Sequence, residues 1–272
     1  MTKVIAVFNG KGGVGKTETT KDIASRDARA GKNVLVIGLD TDCCITDALG
    51  GDTSGTTIYD VLVNPTLGMV RAIKSYTRAP MAGRLDFIPE SMELNKAHIA
   101  FKSSPNRPNG VTFPANLHWL LRQPEITQRY DRVYLDLGPN WDEINAMAVI
   151  AAQYLLIPVV PEPLAIRALK RLTTRIDQNN LDRVSSGITD RTSILGVVLT
   201  RIGSPAHEAL AAKLAQSLER GQIPCFKTYI PNTDAVWEAT GECVPVWHFA
   251  PHDPASVAYA QLYQEVRTAL HD

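Results

Sequence analysis

Short apolar runs alternate with longer stretches of mixed character along almost the whole chain. The runs at 4–8, 34–39, 133–137, 154–160, 194–200 and 226–230 are rich in Val, Ile and Leu and carry little charge. Apolarity sustained over so short a length predicts strands buried on both faces, as in a parallel sheet. A weaker run lies at 85–89. Between them, 16–30, 142–152, 163–177, 205–220 and 254–270 have helical patterns. The first of these stops at Gly31, a residue type that ends helices. Another helix is expected at 115–123, after the stretch KSSPNRPNGVTFP at 102–114, which is dense in turn formers. That stretch reads as a long surface loop, either functional or a tolerated insertion. Strand and helix alternate from end to end with no internal repeat and no linker rich in Pro, Gly or Ser. The pattern predicts an α/β fold: a single domain over 1–272 built on one doubly wound, mostly parallel twisted sheet, with helices on both faces.

Composition narrows the partners. Lys+Arg and Asp+Glu both number 28, so the formal charge is zero, and no global field steers the chain to nucleic acid or an anionic membrane. Any such partner must meet a local patch. The first residues, MTKVIAVFNGKGG, break at glycine too early for a signal peptide, and no window has membrane-spanning length. The last helix carries Tyr259, Tyr263, Val266 and Leu270 at core spacing, not the basic stripe of an interfacial helix. A cytoplasmic protein without a membrane partner is expected. Cys43, Cys44, Cys225 and Cys243 form no CxxC pair and are expected to be reduced, buried thiols. The six histidines show no ligand spacing.

The sharpest chemistry lies at 10–17. Gly10-Lys11-Gly12-Gly13-Val14-Gly15-Lys16-Thr17 fits GxxxxGK[ST]. Glycines let the backbone fold around a phosphate with its N–H groups inward, and the helix that follows adds its positive end. Lys16 would reach the β- and γ-phosphates, and the Thr17 hydroxyl would ligate Mg²⁺. Gly12 to Glu18 thus form the expected contact stretch for ATP or ADP. Two acids end predicted strands and complete the pattern. Asp40 closes the second strand, and Asp136 closes the run Arg132-Val133-Tyr134-Leu135-Asp136; carboxylates there can hold Mg²⁺ or orient a water.

KGGVGKT, with Lys11 opening the loop, resembles the deviant Walker A motif of the ParA/MinD ATPases. The resemblance implies an ATP-dependent homodimer in which Lys11 reaches the partner's phosphates, with Lys11, Lys16 and Asp40 catalytic and Thr17, Asp40 and Asp136 around the metal. The family usually shows Asp-x-Asp-Pro-Gln after the second strand. Here Gly38 takes the place of the first Asp, Asp40 that of the second, hydrolysis-linked one, and Thr41-Asp42 replace Pro-Gln. Gly138-Pro139 resembles the family's Pro-Pro switch after the Asp136 strand. Ile230-Pro231-Asn232 resembles the segment near the adenine, so Pro231 and Asn232 are expected base contacts.

Partition members of that family bind DNA non-specifically and answer to a ParB-like, centromere-binding protein. Arg167, Lys170, Arg171 and Arg175 fall at i, i+3, i+4 and i+8 on one helix face; such a stripe can track phosphates or simply be solvated. No helix-turn-helix precedes the phosphate loop, so operator binding through such an extension is not expected. Plasmid or chromosome partition is the expected function. The alternatives are a positioning ATPase for another cargo and a carboxylate-activating synthetase using the same ATP site. Trp141, beside the switch, is expected to pack in the core.

Overall fold

The computed structural model describes residues 2–106, 108 and 110–272. Among them, β1 (Lys3–Val7), β2 (Asn33–Leu39), β3 (Lys74–Ser75), β4 (Arg84–Ile88), β5 (Arg132–Leu137), β6 (Tyr154–Val159), β7 (Ser193–Ile202) and β8 (Cys225–Pro231) form one sheet. Its order is β3-β4-β2-β5-β1-β6-β7-β8. All pairings are parallel except that of β3 with β4. The central strands are mostly apolar because both of their faces are covered. Along β1 and the residue after it, Val4, Ala6 and Phe8 enter one core layer while Ile5 and Val7 enter the other, as the two-residue period of a strand requires.

Each face carries its own helices. Glu143–Ala151, Ala165–Ser185 and Pro205–Arg220 contribute to the layer beneath Val4 and Phe8. Lys16–Arg29 and Pro254–Ala269 contribute to the opposite layer, the latter through Tyr259, Leu262, Tyr263 and Val266. The last helix is therefore a packing element, as its core spacing predicts. No helix among the described residues is long and apolar enough to cross a membrane.

β1 lies between β5 and β6 although it precedes both in the chain. In register, Val7 stands opposite Asp136 of β5, and Gly38 of β2 faces Asp136 from the other side. The loops leaving β1, β2 and β5 therefore open at one edge of the sheet. This is the edge at which doubly wound folds bind ligands.

Several expectations need correction. The helix expected at 163–177 runs as Ala165–Ser185. Its extra turns are fastened by polar residues that a hydrophobic pattern does not register. Asn180 donates to the Thr192 carbonyl and accepts its N–H, and Arg183 donates to the Ala152 carbonyl. The loop at 102–114 is shorter at both ends, because a helix runs through Ala97–Ser103 and another starts at Phe113, with Pro114 in its first turn. Residues 107 and 109 of that stretch lie outside the described residues. Only Cys43 of the four thiols is buried; Cys44 is exposed.

Candidate functional site

The turn after β1 holds the phosphate-loop sequence, and its backbone explains its glycines. Gly13 and Gly15 adopt φ of 70° and 84°, where a side chain would be strained. Gly15 is the N-cap of the helix Lys16–Arg29, and no side chain caps that end. The first-turn amides of a helix have no intrahelical acceptor, so here they are free for an anion. Thr200 ties the loop down by donating to the Val14 carbonyl at 2.8 Å. Asn9 does the same at the entrance, donating to the Pro158 carbonyl at 2.7 Å and accepting the Lys11 N–H at 3.0 Å.

Lys16 is buried within this turn, and its ammonium donates to the Lys11 carbonyl at 3.3 Å. An ammonium has three donors, so most of its capacity is unspent. Burial pushes its pKa down, opposed by Asp136 and Asp40. Asp136 is buried at the end of β5. Its two carboxylate oxygens accept the hydroxyls of Thr17 and Thr20, each at 2.8 Å. Burial pushes its pKa up to about 6, against the pull of those hydroxyls and of Lys16. A buried acid raised in this way favours a nearby cation. The uncapped helix end, the under-used ammonium and this carboxylate beside the Thr17 hydroxyl together fit a polyphosphate carrying a divalent cation.

Asp40 stands apart from that pair. Its carboxylate accepts the Asp42 N–H at 3.2 Å and faces Gly138, where an added Cβ would come within 3.1 Å of Asp40 Oδ1. Gly138 thus lets the loop after β5 approach the loop after β2. Burial raises the Asp40 pKa. The Lys11 ammonium pairs with the carboxylate of Glu162; the two side chains are 55% and 46% exposed. Gly15 and Glu18 also line a cavity of about 180 Å³, together with Pro231, Asn232, Arg201 and Tyr259, among others.

A family model described as an AAA domain matches residues 2–185. The chain belongs to the ParA/MinD family of P-loop ATPases. The chromosome-partitioning ATPase Soj of Thermus thermophilus is 26% identical over 270 residues, covering 98% of this chain and 96% of the relative. Among solved structures, the ATP complex of an McdA variant from Cyanothece superposes with a TM-score of 0.79 at 20% identity, over 99% of this chain and 96% of that one. A cobyrinic acid a,c-diamide synthase from Mycobacterium smegmatis, solved with ADP and magnesium, gives 0.73 at 22% identity, over 97% and 93%. At these identities both likenesses show the fold alone.

Within this ParA/MinD site the expected residues fall into three places. Gly12 to Glu18, Lys16, Thr17 and Asp136 gather at the loop. Pro231 and Asn232 line the cavity with Gly15. Arg167, Lys170, Arg171 and Arg175 are exposed on the helix Ala165–Ser185, opposite the buried Leu169, Leu172 and Ile176. Arg171 and Arg175 also line a groove with Lys11 and Phe8, and Arg175 stacks over Trp141 at 5.7 Å. Trp141 is half-buried, packed edge-on against Phe8 at 5.4 Å. Sequence reasoning missed Thr20, Thr200, Glu162 and Glu90. Thr20 is legible only with the helix in hand, one turn beyond Thr17. Glu90 follows the run at 85–89, and the rule that selects strand-end acids at 40 and 136 selects it too.

Proposed function

We propose that this ATPase acts as a single domain that binds ATP·Mg²⁺, dimerises around it, and hydrolyses it slowly as a switch that positions DNA for plasmid or chromosome partition. Lys11 carries the reading. Its ammonium is held by one exposed carboxylate, a contact worth little in water. It is therefore free to pass to the phosphates of a second copy. The full-length likeness to a chromosome-partitioning Soj supports the same reading.

In this scheme the loop amides from Gly12 to Thr17 and the Lys16 ammonium bind the phosphates, and Pro231 and Asn232 edge the base cavity. Thr17 and Asp136 would hold the metal, with Asp40 the third acid expected near it. Magnesium, when bound, neutralises charge that develops on the phosphates. Asp40 would orient the attacking water. The basic face of Arg167, Lys170, Arg171 and Arg175 binds DNA phosphates without reading sequence. A ParB-like protein stimulates turnover, and the molecule works in the cytoplasm on the nucleoid.

ATPase assays with and without DNA, alongside sedimentation, test the switch. ATP should produce a dimer in wild type and not in Lys11→Ala. A gel shift with ATP tests the cargo: binding should weaken steeply with salt, and replacement of the four basic residues by Ala should abolish it. No shift at low salt removes DNA from the scheme and leaves a switch for another cargo. Turnover that needs a small carboxylic acid and yields a new product would instead identify a synthetase.

A further inference from the structure

Gly38 and Glu90 occupy the same space. A Cβ built on Gly38 would lie 2.1 Å from Glu90 Cγ and 2.3 Å from its Cδ. Such contacts are impossible, so the bare backbone at 38 is a condition for Glu90 to stand where it does. Glu90 leaves the end of β4, which pairs with β2 in parallel register, and it is fully buried. Its carboxyl closes two contacts at once. Oε1 accepts the Asp40 N–H at 3.2 Å, and Oε2 accepts both the Thr46 N–H and the Thr46 hydroxyl at 3.1 Å. The Glu90 N–H returns a bond to the Thr46 hydroxyl at 2.9 Å. Residues 40–46 are thereby spanned by one side chain that arrives from another strand.

We propose that Glu90 is a positioning residue for ATP hydrolysis, fixing Asp40 and the segment after it with a carboxyl that would otherwise have to come from position 38 of β2. The geometry gives the equivalence. The Cβ of an aspartate at 38 would lie 2.3 Å from the Glu90 carboxyl carbon, so, one C–C bond of about 1.5 Å further on, its own carboxyl carbon would fall within about 4 Å of the one now present. Glu90 touches the backbone of Asp40 rather than the nucleotide, so it acts through Asp40. Removal should therefore loosen the strand-end acid and leave phosphate binding to Gly12–Thr17 intact.

The inference rests on ATP hydrolysis at this site but not on the identity of the cargo. Wild type, Glu90→Ala, Glu90→Gln, Gly38→Asp and the double variant Gly38→Asp/Glu90→Ala are compared by ATPase kinetics, by calorimetry with ADP, and by amide hydrogen exchange over 40–46. Glu90→Ala should lower kcat at least tenfold with ADP affinity within twofold of wild type, and exchange at Asp40 and Thr46 should accelerate. Glu90→Gln, which keeps an acceptor oxygen, should fall between the two. Gly38→Asp alone should be poorly folded, and the double variant should recover kcat to within threefold of wild type. Rescue is the outcome that a merely structural role for Glu90 does not supply. Unchanged kcat or unchanged exchange in folded Glu90→Ala overturns the proposal, as does a double variant that folds and binds ADP but stays as slow as Glu90→Ala. If that variant does not fold, wild-type kcat and exchange in Glu90→Gln overturn it equally. Absence of hydrolysis in wild type would sink the ATPase reading instead, while exchange would still report on the clasp.

Discussion

Replacing Asp136 by Asn should stabilise the nucleotide-free protein while destroying its affinity for the magnesium nucleotide. Burial raises this carboxyl from 3.8 to about 6, outweighing Thr17, Thr20 and Lys16. The ionised form is thus a cost to the folded state. That cost is absent below the unfolded value near 4, grows as pH rises, and is complete above about 6. A rise of this size corresponds to about 3 kcal/mol, with no discount for solvent because the group is buried. An asparagine of the same shape keeps both contacts, accepting from one threonine hydroxyl and donating to the other. Thermal melts of the apo protein at pH 8 should show Asp136→Asn higher than wild type by about 5 °C or more, given roughly 2–4 °C per kcal/mol for chains of this size. The difference should shrink toward zero near pH 4. The other raised acids, Asp22 at about 6 and Glu90 at about 8, are common to both proteins and largely cancel. Equal or lower stability of the variant at pH 8, or a gain that does not fade on acidification, would refute the reasoning.

Two further outcomes follow from burial and contacts. Lys11→Ala should leave the apo melt within about 0.5 kcal/mol of wild type, since an exposed pair contributes little, yet abolish the ATP-induced shift in sedimentation. Arg183→Met should cost about 1–2 kcal/mol in a denaturant titration by removing the guanidinium's bonds to the Ala152 carbonyl and the Thr192 hydroxyl, which still bond to each other, while the half-exposed Asp190 keeps Arg122; no loss at all would mean that water replaces the guanidinium.

The central strands and the phosphate loop were legible because each is written locally. β1, β2 and β5 are mostly apolar, and GKGGVGKT states its own backbone demands through glycines at 13 and 15. The segment between β2 and β4 was not legible. Its pieces are short, such as Cys44–Ala48 and Ile58–Val63, and they are held by tertiary contacts rather than by periodicity. The eight residues added to the helix after β6 fall in the same class, since Asn180 and Arg183 look like surface residues until Thr192 and Ala152 come beneath them. Glu90 could be picked as an acid that follows a strand, but its role was hidden for a different reason. Its meaning depends on the absence of a side chain at Gly38, a relation between two strands that no single window contains. Lys11 could be picked from its motif, but its present partner Glu162 lies on the far side of β1 and emerges only once β6 is laid beside it.

That partnership ties two parts of the molecule that are far apart in the chain. Glu162 sits on the turn between β6 and the long helix that displays the basic face, and its carbonyl accepts the Ala165 N–H that opens this helix. Were the ammonium to leave for another subunit, as proposed, the carboxylate would lose its counter-ion while remaining anchored to the helix start. In the proposed dimer, nucleotide bound on one side would thus alter the charge at the root of the basic helix on the other, and the surface offered to a polyanion would carry a record of whether a second subunit is present.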